Sequence, residues 1–127
     1  MKKYCLIGEK LGHSYSAIIH KEFGYSYKIV ELQLEQLKTF VEKQEFDGFN
    51  VTIPYKKEII KYLNYVDPVA KQLGAVNTVK YIDGKSYGYN TDIYGMEYVL
   101  ESKGISLENK KVVILGTGGT SNTAYAL

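Results

Sequence analysis

Apolar residues along this chain fall in short runs that alternate between the two-residue period of a strand and the 3.6-residue period of a helix. "YCLIG" reads as a strand, followed by a glycine-marked loop and a helix beginning near Ser14 and Ser16, with Ile18, Ile19 and Phe23 as its apolar side and Gly24 as its stop. "YSYKIV" gives a second strand, and Leu34, Leu37 and Val41 take the i, i+3, i+7 spacing of one helix face. Asp47-Gly48 turns the chain into "FNVTI", whose period of two sets Asn50 and Thr52 opposite Phe49, Val51 and Ile53. Pro54 suits the first position of a helix over "YKKEIIKYL", and Asp67-Pro68 and Gly74 bracket another.

The clearest local signal is "NTVKYI-DG-KSYGYN", an Asp-Gly pair between two strand-like segments, as a type I′ hairpin prefers. Pairing Ile82 with Lys85 and counting outward sets Asn77 opposite Asn90, with Asp92 just beyond. Ile93, Met96, Leu100 and Lys103 then mark a helix ended by Gly104, and a polar connection leads to "VVIL" and "GTGGTSNTA". The predicted class is α/β, a mostly parallel sheet flanked by helices with a hairpin near residues 77–90, followed by the truncated start of a Rossmann-type domain. The boundary falls at residues 105–106.

A length of 127 residues supports one respectable core, and sixteen basic against fourteen acidic residues leave a charge of +2 that asks for neither nucleic acid nor an anionic membrane. No apolar run approaches the ~20 residues of a membrane span, and a cytoplasmic location is expected. The thirteen tyrosines are scattered rather than interleaved with basic clusters. Cys5 reads as a small buried strand residue, and His13 and His20 have no metal-ligand spacing around them, so no metal is expected.

Three stretches could carry chemistry. Ser14 and Ser16 at a helix start either cap it or hold an anion on free N–H groups. Lys56 shares a face with Ile59, Ile60 and Leu63, whereas Lys57 aligns with Lys61 and water. A cation in a first helical turn is disfavoured by the dipole and by partial burial, which suits proton transfer; the alternative is a stem lying on the apolar face with its amine in solvent. Asp92 either caps the following helix or fixes a nearby ammonium. Gly116 and Gly118 have dinucleotide-fingerprint spacing with Ser121 at the third small position, and the absence of a Lys-Ser/Thr ending argues against a P-loop.

Together these stretches resemble the shikimate dehydrogenase family over nearly the whole chain. "HSYS" is similar to the family's HSxS, "NVTIPYK" to NVTxPxK, "GAVNT" and "NTD" to the same strings, and "GTGGTS" to its GxGGxx nucleotide loop. The resemblance implies a two-domain enzyme that reduces 3-dehydroshikimate to shikimate with NADPH in aromatic amino-acid biosynthesis. Residues 1–105 would be its substrate domain and 106–127 the start of an incomplete NADP-binding domain. Ser14 and Ser16 would hold the substrate carboxylate; Thr52, Lys56, Asn77 and Asp92 would surround the ring hydroxyls and the reacting carbonyl, with Lys56 and Asp92 catalytic. Gly116, Gly118, Gly119, Thr120 and Ser121 would face the cofactor.

Ala17 departs from the proline usual after the second serine, which removes a rigid helix start but neither hydroxyl. The family continues well past Leu127, so the closing stretch reads as the severed opening of a cofactor domain, and the fragment is expected to be inactive alone. NADP is what the family implies; the residue that reads the ribose normally lies ~20 positions beyond the glycines, so nothing in these residues separates NADP from NAD. The expected partner is a small-molecule substrate, and exposed sheet edges leave room for a homodimer. The competing expectations are a quinate/shikimate dehydrogenase paralogue and a noncatalytic ligand-binding module.

Overall fold

A computed structural model describes residues 1–12 and 14–127; His13, the first residue of "HSYS", lies outside the described residues. The described elements run β1 (Lys3–Gly8), α1 (Ser16–Lys21), β2 (Ser26–Glu31), a 3₁₀ turn (Leu34–Gln36), α2 (Leu37–Lys43), β3 (Gly48–Val51), a second 3₁₀ segment (Glu58–Tyr62), β4 (Tyr65–Val66), α3 (Pro68–Leu73), β5 (Thr78–Ile82), β6 (Lys85–Tyr89), α4 (Asp92–Ser102) and α5 (Gly119–Tyr125). Six strands form one sheet in the order β2-β1-β3-β5-β6-β4. β1 pairs in parallel with β2 and β3, and β4 with β6, while β5 runs antiparallel to β3 and β6. The fold is the expected α/β one, with the hairpin making the sheet mixed.

The hairpin has the expected register, Ile82 opposite Lys85 and Thr78 opposite Tyr89. Asp83 and Gly84 both adopt positive φ, 50° and 73°, as a type I′ turn requires. α3 is likewise bounded as its sequence indicates: Asp67 Oδ2 accepts the Val69 N–H at 3.0 Å, and Gly74 leaves the helix in the left-handed region.

One face of the sheet carries the core. Cys5 and Ile7 of β1, Phe49 and Val51 of β3 and Val79 of β5 pack with Leu37 and Val41 of α2, Ile59 of the second 3₁₀ segment and Ala70 of α3. Tyr55 and Tyr81 enter with their rings and donate their hydroxyls to the carbonyls of Leu32, at 2.6 Å, and Val41, at 2.8 Å. Buried phenols paired in this way keep the aromatic contact without leaving a polar atom unsatisfied.

Three expectations are corrected. Ile18, Ile19 and Phe23 are 64%, 56% and 67% exposed, because the six-residue α1 meets the sheet instead through His20, whose ring stacks on Tyr27 at 3.9 Å. No α-helix starts at Pro54. The Ile53–Pro54 peptide is cis, and the Lys56 carbonyl, which an α-helix would give to the Ile60 N–H, accepts from Val76 N at 2.8 Å. One α-type bond, Ile59 N to the Tyr55 carbonyl at 2.9 Å, is followed by the 3₁₀ bonds of Ile60 and Leu63, so Lys56 belongs to a turn before the 3₁₀ segment rather than to the first turn of an α-helix. Val112–Leu115 is not a strand, since no strand among the described residues lies beside it to take its backbone groups, and its side chains are exposed.

Candidate functional site

Gly8 at the end of β1 lets a loop fold tightly over the sheet. A Cβ there would stand 2.7 Å from Leu11 Cδ2 and 3.0 Å from both Thr52 Cγ2 and the Ile53 carbonyl. The loop is pinned from the other side by Glu31, whose carboxylate accepts the Leu11 N–H at 2.9 Å. The result is a concavity of about 540 Å³ whose lining includes Lys10, Ser14, Ser16 and Thr52. Ser14 Oγ accepts the Ser16 N–H at 3.2 Å, so one hydroxyl oxygen secures the entry to α1. Lys10 was not singled out by the sequence, because a lone lysine in a polar loop carries no pattern.

A second group forms where three segments meet. Lys56 Nζ lies 2.7 Å from Asp92 Oδ2, with the two side chains 15% and 30% exposed. Asn77 Nδ2 donates to Asp92 Oδ1 at 3.0 Å and to Thr91 Oγ1 at 2.9 Å. Both carboxylate oxygens are thus engaged, which fixes the plane of the carboxylate. The ammonium has Asp92 as its hydrogen-bond partner among the described residues, which leaves donor capacity for a ligand oxygen. The hairpin register brings Asn77 to Asp92; the Val76–Lys56 backbone bond brings Lys56 to Asn77.

The cluster is tied into the sheet by a line of side chains. Tyr27 donates to Asn50 Oδ1 at 2.8 Å, Asn50 Nδ2 to Thr78 Oγ1 at 3.1 Å, and Thr78 Oγ1 to Asn77 Oδ1 at 3.1 Å. Burial raises the Tyr27 phenol well above its ordinary value, so it remains a neutral donor. Asn50 and Thr78 sit inside the NVTIPYK and GAVNT stretches without having been given a role, and Tyr27 belongs to no motif. A further signal for Asn50 was its alternation with the core residues Phe49 and Val51 of β3.

The glycine loop approaches from the far side. Gly116 has φ 126°, a conformation other residues rarely adopt, and Gly118 precedes α5 in extended geometry. Positions 116, 118 and 119 open on empty space, so a bulky group can come close to their backbone. Ser121 Oγ turns back to the Gly118 carbonyl at 2.6 Å, whereas Thr120 lines a depression of about 490 Å³ with Thr91, Asp92, Met96 and Leu100. Asp92 therefore lies between Lys56 and the wall that Thr120 shares. Among the described residues, no group of three or more His, Cys, Asp or Glu could hold a metal ion, and no helix is long and apolar enough to cross a membrane.

The family described as "Shikimate dehydrogenase substrate binding domain" matches residues 6–79, more than half of the chain. The chain belongs to the shikimate dehydrogenase family. A shikimate dehydrogenase (NADP(+)) of Clostridium beijerinckii is 40% identical over 95% of this chain and 48% of its own length. Shikimate dehydrogenase 1 of Peptoclostridium difficile superposes with a TM-score of 0.93 at 39% identity, covering 99% of this chain and 50% of that one. The shikimate dehydrogenase of Thermus thermophilus in complex with NADP(H) and shikimate gives 0.88 at 32% identity, covering 97% of this chain and 50% of the other. The chain spans about half the length of the curated relatives it matches. Within the family-matched span lie Ser14, Ser16, Thr52, Lys56 and Asn77; Asp92, beyond it, meets Lys56 and Asn77, while Ser14, Ser16 and Thr52 line the separate concavity.

Proposed function

We propose that residues 1–105 bind substrate and handle the proton in an NADP-dependent shikimate dehydrogenase, and that residues 106–127 open its nucleotide-binding domain. The observation that carries this reading is the Lys56–Asp92–Asn77 cluster, assembled from a turn, a helix start and the segment before β5. Shikimate offers a carboxylate and ring hydroxyls to such a site. Ser14 and Ser16, on the wall of the concavity, supply hydroxyl donors for the carboxylate. Thr52, Lys56, Asn77 and Asp92 supply donors and acceptors for the ring oxygens.

NADPH, when bound, supplies the hydride. As negative charge grows on the reacting carbonyl oxygen, the Lys56 ammonium stabilises it and delivers the proton. Asp92 holds Lys56 at the required angle, and Asn77 holds Asp92. The open glycine positions 116, 118 and 119, together with Thr120 and Ser121 at the start of α5, fit a pyrophosphate, which needs close backbone approach and small residues.

The test is a titration of the isotopically labelled chain with shikimate. Binding is expected to move the backbone resonances of Ser14, Ser16, Thr52, Asn77 and Asp92 together along one curve. Unmoved resonances at these positions with saturating shikimate would overturn the reading.

A further inference from the structure

We propose that Asn90 is a positioning residue for this site, an inference that rests on the function proposed above. Its side chain is 2% exposed and reaches in two directions. Oδ1 accepts the N–H groups of Asp92, at 2.9 Å, and Ile93, at 3.3 Å, which caps α4 at the residue that faces Lys56. Nδ2 donates to the Ala75 carbonyl at 3.0 Å.

The Ala75–Asn77 segment is the other half of the site. Val76 N donates to the Lys56 carbonyl at 2.8 Å, and Asn77 N to the Tyr89 carbonyl at 3.0 Å. One buried amide therefore joins the helix start that carries Asp92 to the strand approach that carries Asn77 and grips the turn of Lys56. An acceptor alone caps the helix. Only an amide both caps it and binds the Ala75 carbonyl, which explains why the position demands more than an ordinary N-cap.

Asn90→Asp keeps the acceptor and replaces the donor with a second oxygen facing the Ala75 carbonyl; Asn90→Ala removes both. Asp67→Ala, which deletes the comparable cap of α3, serves as the stability control. Two readouts separate positioning from folding. In the enzyme that carries this chain, shikimate oxidation with NADP+ should lose on the order of 30-fold in kcat in both Asn90 variants, with KM changed much less, because displaced groups cost rate even when they still bind. Asn90→Asp should regain part of the Tm that Asn90→Ala loses, yet none of its kcat. Asp67→Ala should lower Tm and leave kcat unchanged.

The second readout needs no turnover. The Lys56 ammonium proton signal of the full chain, held by Asp92 in the unsubstituted protein, should broaden into water exchange in both Asn90 variants and persist in Asp67→Ala. An unsubstituted enzyme without shikimate oxidation would overturn the proposed function, while the ammonium signal still decides the role of Asn90. Full kcat in either Asn90 variant, or an ammonium signal that persists in both, would overturn the positioning role.

Discussion

Lys56 Nζ and Asp92 Oδ2 stand 2.7 Å apart, although 36 residues separate them in the chain. The pair is largely shielded from water, so the attraction between the charges is offset by the cost of desolvating them. Its consequence is geometric, an ammonium with a fixed direction. On the function proposed above, Lys56→Ala in the full-length enzyme is expected to lower kcat by about 10²- to 10⁴-fold, the usual range for a positioned acid, while raising KM far less. Asp92→Asn, which keeps the shape but not the charge, should lower kcat as well and lower Tm, because the largely buried Lys56 ammonium loses its counter-charge. Steady-state kinetics with shikimate as the varied substrate checks both; unchanged turnover in Lys56→Ala would remove it from the chemistry.

Lys56 was legible in the sequence for a reason the structure replaces. Its apolar neighbours at helical spacing distinguish it from Lys57, but what orients it is a turn whose carbonyl is taken by Val76 N. That bond joins residues 20 positions apart, and no local periodicity encodes it. The hairpin, by contrast, was legible to the residue, because an Asp-Gly turn fixes the register of everything that leaves it. Ile18, Ile19 and Phe23 show the opposite failure: apolar spacing identifies a face, not whether anything covers it. Val112–Leu115 has strand composition, and composition cannot supply a neighbouring strand.

Gly48 and Gly95 should respond to alanine in opposite directions. A Cβ on Gly48 would lie 2.8 Å from the Val79 carbonyl, a backbone atom held by the β3–β5 pairing. Gly48→Ala is expected to destabilise by about 1–3 kcal/mol, the range for overpacking. A Cβ on Gly95, inside α4, meets nothing within 4 Å. Gly95→Ala should stabilise by about 0.5–1 kcal/mol by restricting the unfolded chain. Urea midpoints of the two variants decide both signs.

Cys5 should report global opening. It is fully buried among the core residues of β1, and burial pushes its thiol up to about 12. The thiolate is the species that reacts with iodoacetamide, so the folded chain is doubly protected, by access and by protonation. At pH 8 alkylation should be slow in buffer and fast in denaturing urea, as read by mass spectrometry. Rapid labelling of the native chain would show that β1 opens without global unfolding.

His20 should make the seating of α1 sensitive to acid. Its ring stacks on Tyr27 with the planes 2° apart, bonds the Tyr25 hydroxyl and meets Phe23 edge-on. Burial lowers its pKa from 6.5, although its position in the last turn of α1 favours the cation; desolvation wins. A base whose folded pKa is depressed is neutral in both states above 6.5, so its contribution is constant there. Below 6.5 the unfolded chain takes up the proton first, and stability falls with pH until the folded value is passed. Burial raises the Tyr27 phenol, so it stays neutral across this window and does not offset the change. His20→Phe keeps a ring against Tyr27 and does not titrate. Between pH 7.5 and pH 5, the urea midpoint of the unsubstituted chain should therefore fall more than that of His20→Phe, a difference that cancels the carboxylates common to both. Parallel curves for the two proteins would mean that His20 protonates as readily in the folded chain as in the unfolded one.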